Sequence, residues 1–294
     1  MSENKNKSGE ITLYYFTGSG NSLYIARELQ NRLSGIKLIP IAGILNNNII
    51  TPESVKIGIV FPTHGMTIPI PVKIFLKKLN AKNLNYIFAI TNRAGTDFFG
   101  FKKIDSILKS NRKKLNSSFI LNMPNNDPKF NHFTTPTLEE FEDLEKKTAP
   151  LLDLISEKIN SLSNYRVIDI PPEPMSKYFS FPLSWIMTKL ILFAVNLAEF
   201  FKTNNYFYSD NKCVGCGKCQ FVCPSGKVKM INSKPHWDEK VKCFLCYACI
   251  NFCPAHSSQI KSKFYMKSYT TEKGRYIHPS VNSNDIANQK SIVS

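Results

Sequence analysis

The chain has no cysteine outside residues 213–253. Scattered disulfide staples, the device of small secreted domains, are therefore not its framework. The amino terminus, MSENKNKSGE, lacks the apolar stretch of an export signal, so a reducing cytoplasmic setting is the expectation. Acidic residues are in short supply: 22 Asp and Glu against 38 Lys and Arg leave a formal charge of +16. The basic residues are spread along the chain without a nucleic-acid motif, so nucleic acid is not an expected partner. The surplus is either a Lys- and Asn-rich bias with solvated surfaces or a field that steers acidic partners. No Ser–His–Asp or paired-carboxylate constellation stands out, and nothing calls for a general base or a nucleophile. Long hydrophobic runs are scarce too. One, 179–201 (FSFPLSWIMTKLILFAVNLAEFF), reaches spanning length, but Lys189 sits near its centre and Asn196 and Glu199 add polarity. An amphipathic helix packed between two halves of the chain is the preferred expectation. A peripheral membrane helix comes second and a true span last.

The cysteines that are present form two runs of one spacing. Cys213, Cys216, Cys219 and Cys223 precede Pro224; Cys243, Cys246, Cys249 and Cys253 precede Pro254. Each reads C-x2-C-x2-C-x3-C-P and resembles the iron–sulfur run of bacterial ferredoxins. Four thiolates on each of two 4Fe–4S clusters would use all eight. A structural zinc, held by two C-x2-C pairs, would leave the later cysteines of each run and both prolines without a role. Val214, Gly215 and Gly217 let the backbone wrap closely around a bulky core. Phe221, Phe244, Tyr247, Ile250 and Phe252 are expected to shield it from water. In the ferredoxins that these runs resemble, the fourth cysteine of each run serves the other cluster. The resemblance thus implies Cys213, Cys216, Cys219 and Cys253 for one cluster, and Cys243, Cys246, Cys249 and Cys223 for the second. A segment as short as 206–263 holds little core of its own, so removal of its metal should unfold it.

The amino-terminal half carries a separate signal. Ile11 to Phe16 reads as a strand, then Thr17, Gly18, Ser19, Gly20, Asn21 and Ser22 form a small hydroxyl-and-glycine loop. A helix follows, with Leu23, Ala26, Leu29 and Leu33 at helical spacing. Such a loop is either a plain turn or a phosphate cradle at a helix N-terminus. It lacks the G-K-[ST] of a nucleotide P-loop and the G-x-G-x-x-G of dinucleotide folds. It resembles the flavin mononucleotide (FMN) phosphate loop of flavodoxins. Further strands are expected at 37–41, 55–61, 86–91 and 119–123, alternating with helices, which argues a doubly wound parallel sheet. Ligands of such sheets sit beyond the strand carboxyl ends. By the flavodoxin resemblance, Thr63, His64, Gly65 and Met66 and then Asn92, Arg93, Ala94, Gly95 and Asp97 would flank the flavin ring. His64 is read either as a ring neighbour or as a solvent-facing loop residue, and Arg93 as a ring neighbour or surface charge.

The assembled chain resembles the EFR1-type flavodoxin–ferredoxin fusion family of anaerobes. The resemblance implies an α/β flavodoxin-like domain over 1–170 that binds FMN, followed by a small α+β two-cluster ferredoxin domain over 206–263. Between them, 138–162 reads as a helix interrupted or kinked near Pro150. The DIPPEP sequence at 169–174 opens a linker, 171–205, that includes the apolar run. In the tail, 264–294, Arg275 to Pro279 read as anchors that dock it on the body, and the last dozen residues are expected to fray. Two clusters remove about 4 charges and a flavin phosphate about 2, which leaves a basic protein. The implied activity is electron transfer between FMN, the clusters and external redox proteins, acidic ferredoxins or flavodoxins among them. Two alternatives stay open: a flavin-dependent reductase of a small substrate fed by the clusters, and a redox- or oxygen-sensing interaction protein.

Overall fold

Short segments rich in Ile, Val, Phe and Tyr become strands because such side chains suit a pleated sheet buried on both faces. In the computed structural model these are β1 (Ile11–Tyr15), β2 (Ile36–Pro40), β3 (Lys56–Pro62), β4 (Tyr86–Arg93) and β5 (Ser117–Asn122). All pair in parallel, in the order β2-β1-β3-β4-β5. This is the flavodoxin-like order, with its switch point between β1 and β3. The structure describes residues 10–167, 206–263 and 267–291, together with the single positions Ile186, Leu190 and Phe193.

The helices that cover the sheet are α1 (Asn21–Arg32), α2 (Ile41–Ile44), α3 (Ile70–Lys78), α4 (Gly100–Leu108) and α5 (Leu138–Asn160). Leu23, Ala26 and Leu29 of α1 are buried, as their spacing requires. In β3, Gly58 makes room for a ring: a Cβ there would lie 2.2 Å from Phe88. The Thr137 hydroxyl and the Glu140 carboxylate close a capping box on α5. That helix continues through Pro150 without interruption, which leaves the kinked form of the expectation. One missing rung is outweighed by the buried face of Phe141, Leu152, Ile155 and Ile159.

The second segment is small. β6 (Phe207–Ser209) pairs antiparallel with β9 (Ser258–Ile260), and β7 (Val228–Ile231) forms a hairpin with β8 (Lys234–Trp237). Two single-turn helices complete it, α6 (Lys218–Phe221) and α7 (Ala248–Asn251). Its own apolar cluster is modest: Phe207, Val228, Trp237, Ile250 and Ile260 around three cysteines. Val222, Cys246, Ala248 and Phe252 instead join the core of the sheet, as do Val281 and Ile286 of the tail.

The described part of the last dozen residues, 283–291, is folded where fraying was expected. Residues Ser283–Ala287 form α8, capped by Asn282 and Asp285, and a 3-10 turn covers Asn288–Lys290. Gln289 is wholly buried. The proposed bridging run, 179–201, and most of the linker lie outside the described residues. Its three described positions, Ile186, Leu190 and Phe193, are helical, with exposures of 43%, 54% and 64%. No helix among the described residues is long and apolar enough to cross a membrane.

Candidate iron–sulfur centre

The two cysteine runs fold into the same backbone shape. Gly215, Gly217 and Gly226 of the first have φ of 71°, 73° and 68°; Leu245, Tyr247 and His256 stand at the same places in the second, with φ of 54°, 56° and 49°. These left-handed residues turn the chain back on itself so that successive cysteines face one centre. α6 carries Cys219, with Cys223 just beyond its end; α7 carries Cys249, with Cys253 just beyond. Each short helix thereby presents one thiol to each of two neighbouring sites.

Cys213, Cys216, Cys219 and Cys253 line one cavity. Cys223, Cys243, Cys246 and Cys249 line a second. These are the crosswise sets that the ferredoxin resemblance implied. All eight cysteines are free thiols. Among the described residues no three His, Cys, Asp or Glu side chains converge as holders of a single metal ion. The sulfurs surround cavities instead, the arrangement that a core wider than one ion needs.

The chemistry of the donors fits such a core. Burial pushes Cys219 up to about 11 and Cys243 up to about 12, and raises Cys246 and Cys249 further. A lone thiolate is costly in these places, whereas bound iron deprotonates a thiol outright. Donors to sulfur are ready: the Leu245 N–H donates to Cys243 Sγ at 3.4 Å and the Ser257 N–H to Cys253 Sγ at 3.2 Å. The Trp237 indole N–H is buried without a partner of ordinary geometry. It faces the Cys249 sulfur, where it favours the thiolate against the larger effect of burial. The Lys227 ammonium, 1% exposed, lines the same cavity and donates to the carbonyls of Asp238 and Val241 at 2.6 and 2.9 Å.

The two cavities differ in setting. Around the first, Cys216 is exposed and Val214 is 73% exposed. The second lies inward: Cys223, Cys246 and Cys249 are buried. Of the five expected shields, Ile250 and Phe252 are buried, Phe244 and Tyr247 are partly covered, and Phe221 is exposed. The inner site leans on the sheet. Phe244 meets Phe16 edge-on at 6.0 Å between ring centres, and the Lys129 ammonium donates to the Tyr247 hydroxyl at 3.1 Å.

The glycine loop after β1 lies at this contact, and a flavin phosphate does not fit it. A cradle for an anion keeps its donors open until the anion arrives. Here Thr17 is 1% exposed, Ser19 2%, Asn21 6% and Ser22 0%, and Gly18 and Gly20 are buried as well. A Cβ on Gly18 would lie 2.1 Å from the Cys246 carbonyl oxygen; one on Gly20 would lie 2.8 Å from the Cβ of His278. The close approach that glycine allows is already taken by polypeptide. The polar side chains of the loop have protein partners too. The Thr17 hydroxyl accepts from the Gly20 N–H, the Asn126 amide donates to Ser19 Oγ, the Asn21 amide donates to the Pro124 carbonyl, and the Asn92 amide donates to Ser22 Oγ.

The expected ring loops are partly engaged and partly open. Asn92 is buried and structural, tied to Ser22 and to the Phe61 carbonyl. Thr63 pairs through its hydroxyl with Thr91, and its N–H donates to the Asn92 carbonyl. His64 closes a tight turn with Thr67 that contains Gly65 and Met66, both at positive φ, and it is neither fully exposed nor free of neighbours. Burial, then the charges of Lys129 and Lys73, hold its imidazole well below the ordinary histidine range. Arg93 donates to Asn122, Ala94 and Gly95 are exposed, and Asp97 is partly covered. Sequence reading missed Gln289, Trp237 and Lys227. Gln289 carries no periodic signal in a polar tail, and neither of the other two belongs to a motif.

A parallel flavodoxin-like sheet bearing two four-cysteine cavities defines a ferredoxin-type iron–sulfur protein built onto an α/β scaffold. Residues 205–254 match the family model of the 4Fe-4S dicluster domain. An uncharacterized ferredoxin of Methanocaldococcus jannaschii is 38% identical over 53 residues, 17% of this chain and 69% of that protein. Through this segment the chain belongs to the two-cluster ferredoxins. A component of an ion-translocating oxidoreductase complex from Methanosarcina acetivorans is 33% identical over 49 residues, 17% of this chain but only 18% of that protein. Among solved structures, the rubredoxin oxygen:oxidoreductase of the anaerobe Desulfovibrio gigas overlays 52% of this chain and 37% of its own, with 14% identity and a TM-score of 0.29.

Proposed function

We propose that this protein is a single-electron carrier that passes electrons between external redox proteins and two 4Fe–4S clusters. The observation that carries the reading is the crosswise gathering of the cysteine runs around two neighbouring cavities, one at the surface and one inward. Cys213, Cys216, Cys219 and Cys253 would hold the outer cluster; Cys243, Cys246, Cys249 and Cys223 the inner one. Iron and sulfide supply the redox chemistry. The chain's part is to supply thiolates, exclude water from the inner site and donate hydrogen bonds to sulfur. The outer site is the door for exchange. Lys212 and Lys234 are exposed near it, Lys234 donating to the Cys213 carbonyl, and Lys218 lines it. Such a rim suits an acidic ferredoxin or flavodoxin as partner.

The finer reading, transfer between FMN and the clusters in an EFR1-type fusion protein of the cytoplasm, draws on the sheet order and on the sequence of the two halves. The closed glycine loop speaks against its flavin. A peripheral membrane contact through 179–201 is a further proposal, on the exposed apolar Ile186, Leu190 and Phe193 at helical spacing. Co-sedimentation with anionic vesicles tests it.

The main test is protein purified without oxygen. About eight irons and eight acid-labile sulfides per chain are expected, with paramagnetic signals from two coupled clusters on reduction. One zinc and no iron would sink the proposal. Electron exchange with an acidic ferredoxin should slow as ionic strength rises; a rate indifferent to salt would remove the basic rim from the account.

A further inference from the structure

The loop that reads as a phosphate cradle is filled from two directions by the chain itself. From the tail, the Gln289 side chain makes a two-point clamp on Thr17. Its Oε1 accepts from the Thr17 N–H at 3.0 Å, and its Nε2 donates to the Thr17 carbonyl at 3.1 Å. The His278 N–H donates to the Ser19 carbonyl at 2.8 Å, and the Tyr276 hydroxyl donates to Asn21 Oδ1 at 2.8 Å. Val281 and His278 occupy the space beside Gly20. Nearly two turns along α1, Arg27 is ion-paired with Asp285 of α8. From the other direction, the Cys246 turn of the inner cysteine site closes on Gly18.

We infer that the glycine loop of this chain is an intramolecular docking seat rather than a nucleotide site. It binds the tail over 276–289 on one side and the Cys246 turn on the other, and it takes no FMN. The physical logic of the loop is unchanged. Bare glycines let whatever arrives come close, and a free N–H donates to whatever offers oxygen. Here the Thr17 N–H donates to a glutamine amide oxygen, and the Cys246 carbonyl packs against the bare α-carbon of Gly18. The seat joins three pieces far apart in sequence, and it holds a ligand loop of the inner site against the core of the sheet. This goes beyond the electron-carrier proposal and does not depend on which proteins exchange electrons.

The test uses the full chain loaded with iron. The same oxygen-free preparation is assayed for iron and for released flavin, titrated with FMN while its fluorescence is followed, and measured by hydrogen exchange over residues 17–22. The expected result is bound iron, no flavin, no saturable quenching of FMN, and slow exchange of the loop amides. In Gln289→Ala the Thr17 amide should exchange roughly tenfold faster or more, since two buried hydrogen bonds are lost, with iron content unchanged. Stoichiometric flavin in the wild-type protein, or saturable FMN binding to it, would overturn the inference. So would fast exchange of the loop in the wild type, or no change on Gln289→Ala. A preparation without iron defeats the electron-carrier proposal instead, so the two failures are told apart.

Discussion

His256 is exposed, yet its backbone sits at φ 49°, where the first cysteine run has Gly226. A side chain in the left-handed region costs about 1–2 kcal/mol, and its own contacts do not offset this at an exposed site. His256→Gly should therefore stabilise the iron-loaded protein by about 1 kcal/mol, after the entropy cost of glycine is set against the relief. Urea unfolding under argon measures it, and a loss of stability would show that the side chain contributes more than its exposure suggests. Trp237 makes the opposite point. Its N–H is aimed at sulfur, and donors to cluster sulfur raise reduction potentials by favouring the more negative state. Trp237→Phe should lower the potential of the inner site by up to about 60 mV, the equivalent of about 1.4 kcal/mol for one electron. Potentiometry followed by paramagnetic resonance reads this directly, and an unchanged potential would remove the hydrogen bond from the account.

At the scale of elements, the tail is the informative piece. His278 is wholly buried, stacked on Tyr24 at 4.3 Å and edge-on to Phe141 at 5.0 Å, with Ser280 at its Nδ1. Burial holds its imidazole down to about 4. Because the folded value lies below the unfolded one of about 6.5, the unfolded tail binds the extra proton first. Docking is then at full strength above about 6.5 and weakens as pH falls towards 4, by up to about 3 kcal/mol. Hydrogen exchange of residues 276–289 against pH should show this, and His278→Gln should flatten the profile. A wild-type profile without slope between those values would argue that the ring is not buried in solution. α5 shows a different balance. Pro150 marks a break on local rules, but the apolar face of the helix holds it continuous.

Across the whole molecule, two kinds of cohesion meet. The sheet has a large apolar core, whereas the cysteine segment has a small one and borrows the rest through Val222, Ala248 and Phe252. Chelation of iron under anaerobic conditions should raise exchange throughout 206–260, and in the tail and residues 17–22 docked against it. The strand amides of β3 and β4 should stay protected. If the whole chain unfolds together on chelation, the two halves form one cooperative unit, and the sheet depends on the metal as well.

Much of this was legible in the amino-acid order alone. Eight thiols at repeated spacing name their own chemistry because metal geometry demands local spacing, and β1, β3 and β4 declare themselves through apolar runs between turns. The left-handed positions of the first run are also visible, since Gly215, Gly217 and Gly226 stand there. What only the folded chain decided is the occupant of the glycine loop. A short loop of glycines and hydroxyls has the same local shape whether it cradles a phosphate or a stretch of polypeptide. The choice belongs to Gln289, His278 and Cys246, more than 220 residues away, whose arrival depends on long-range packing that no local pattern encodes.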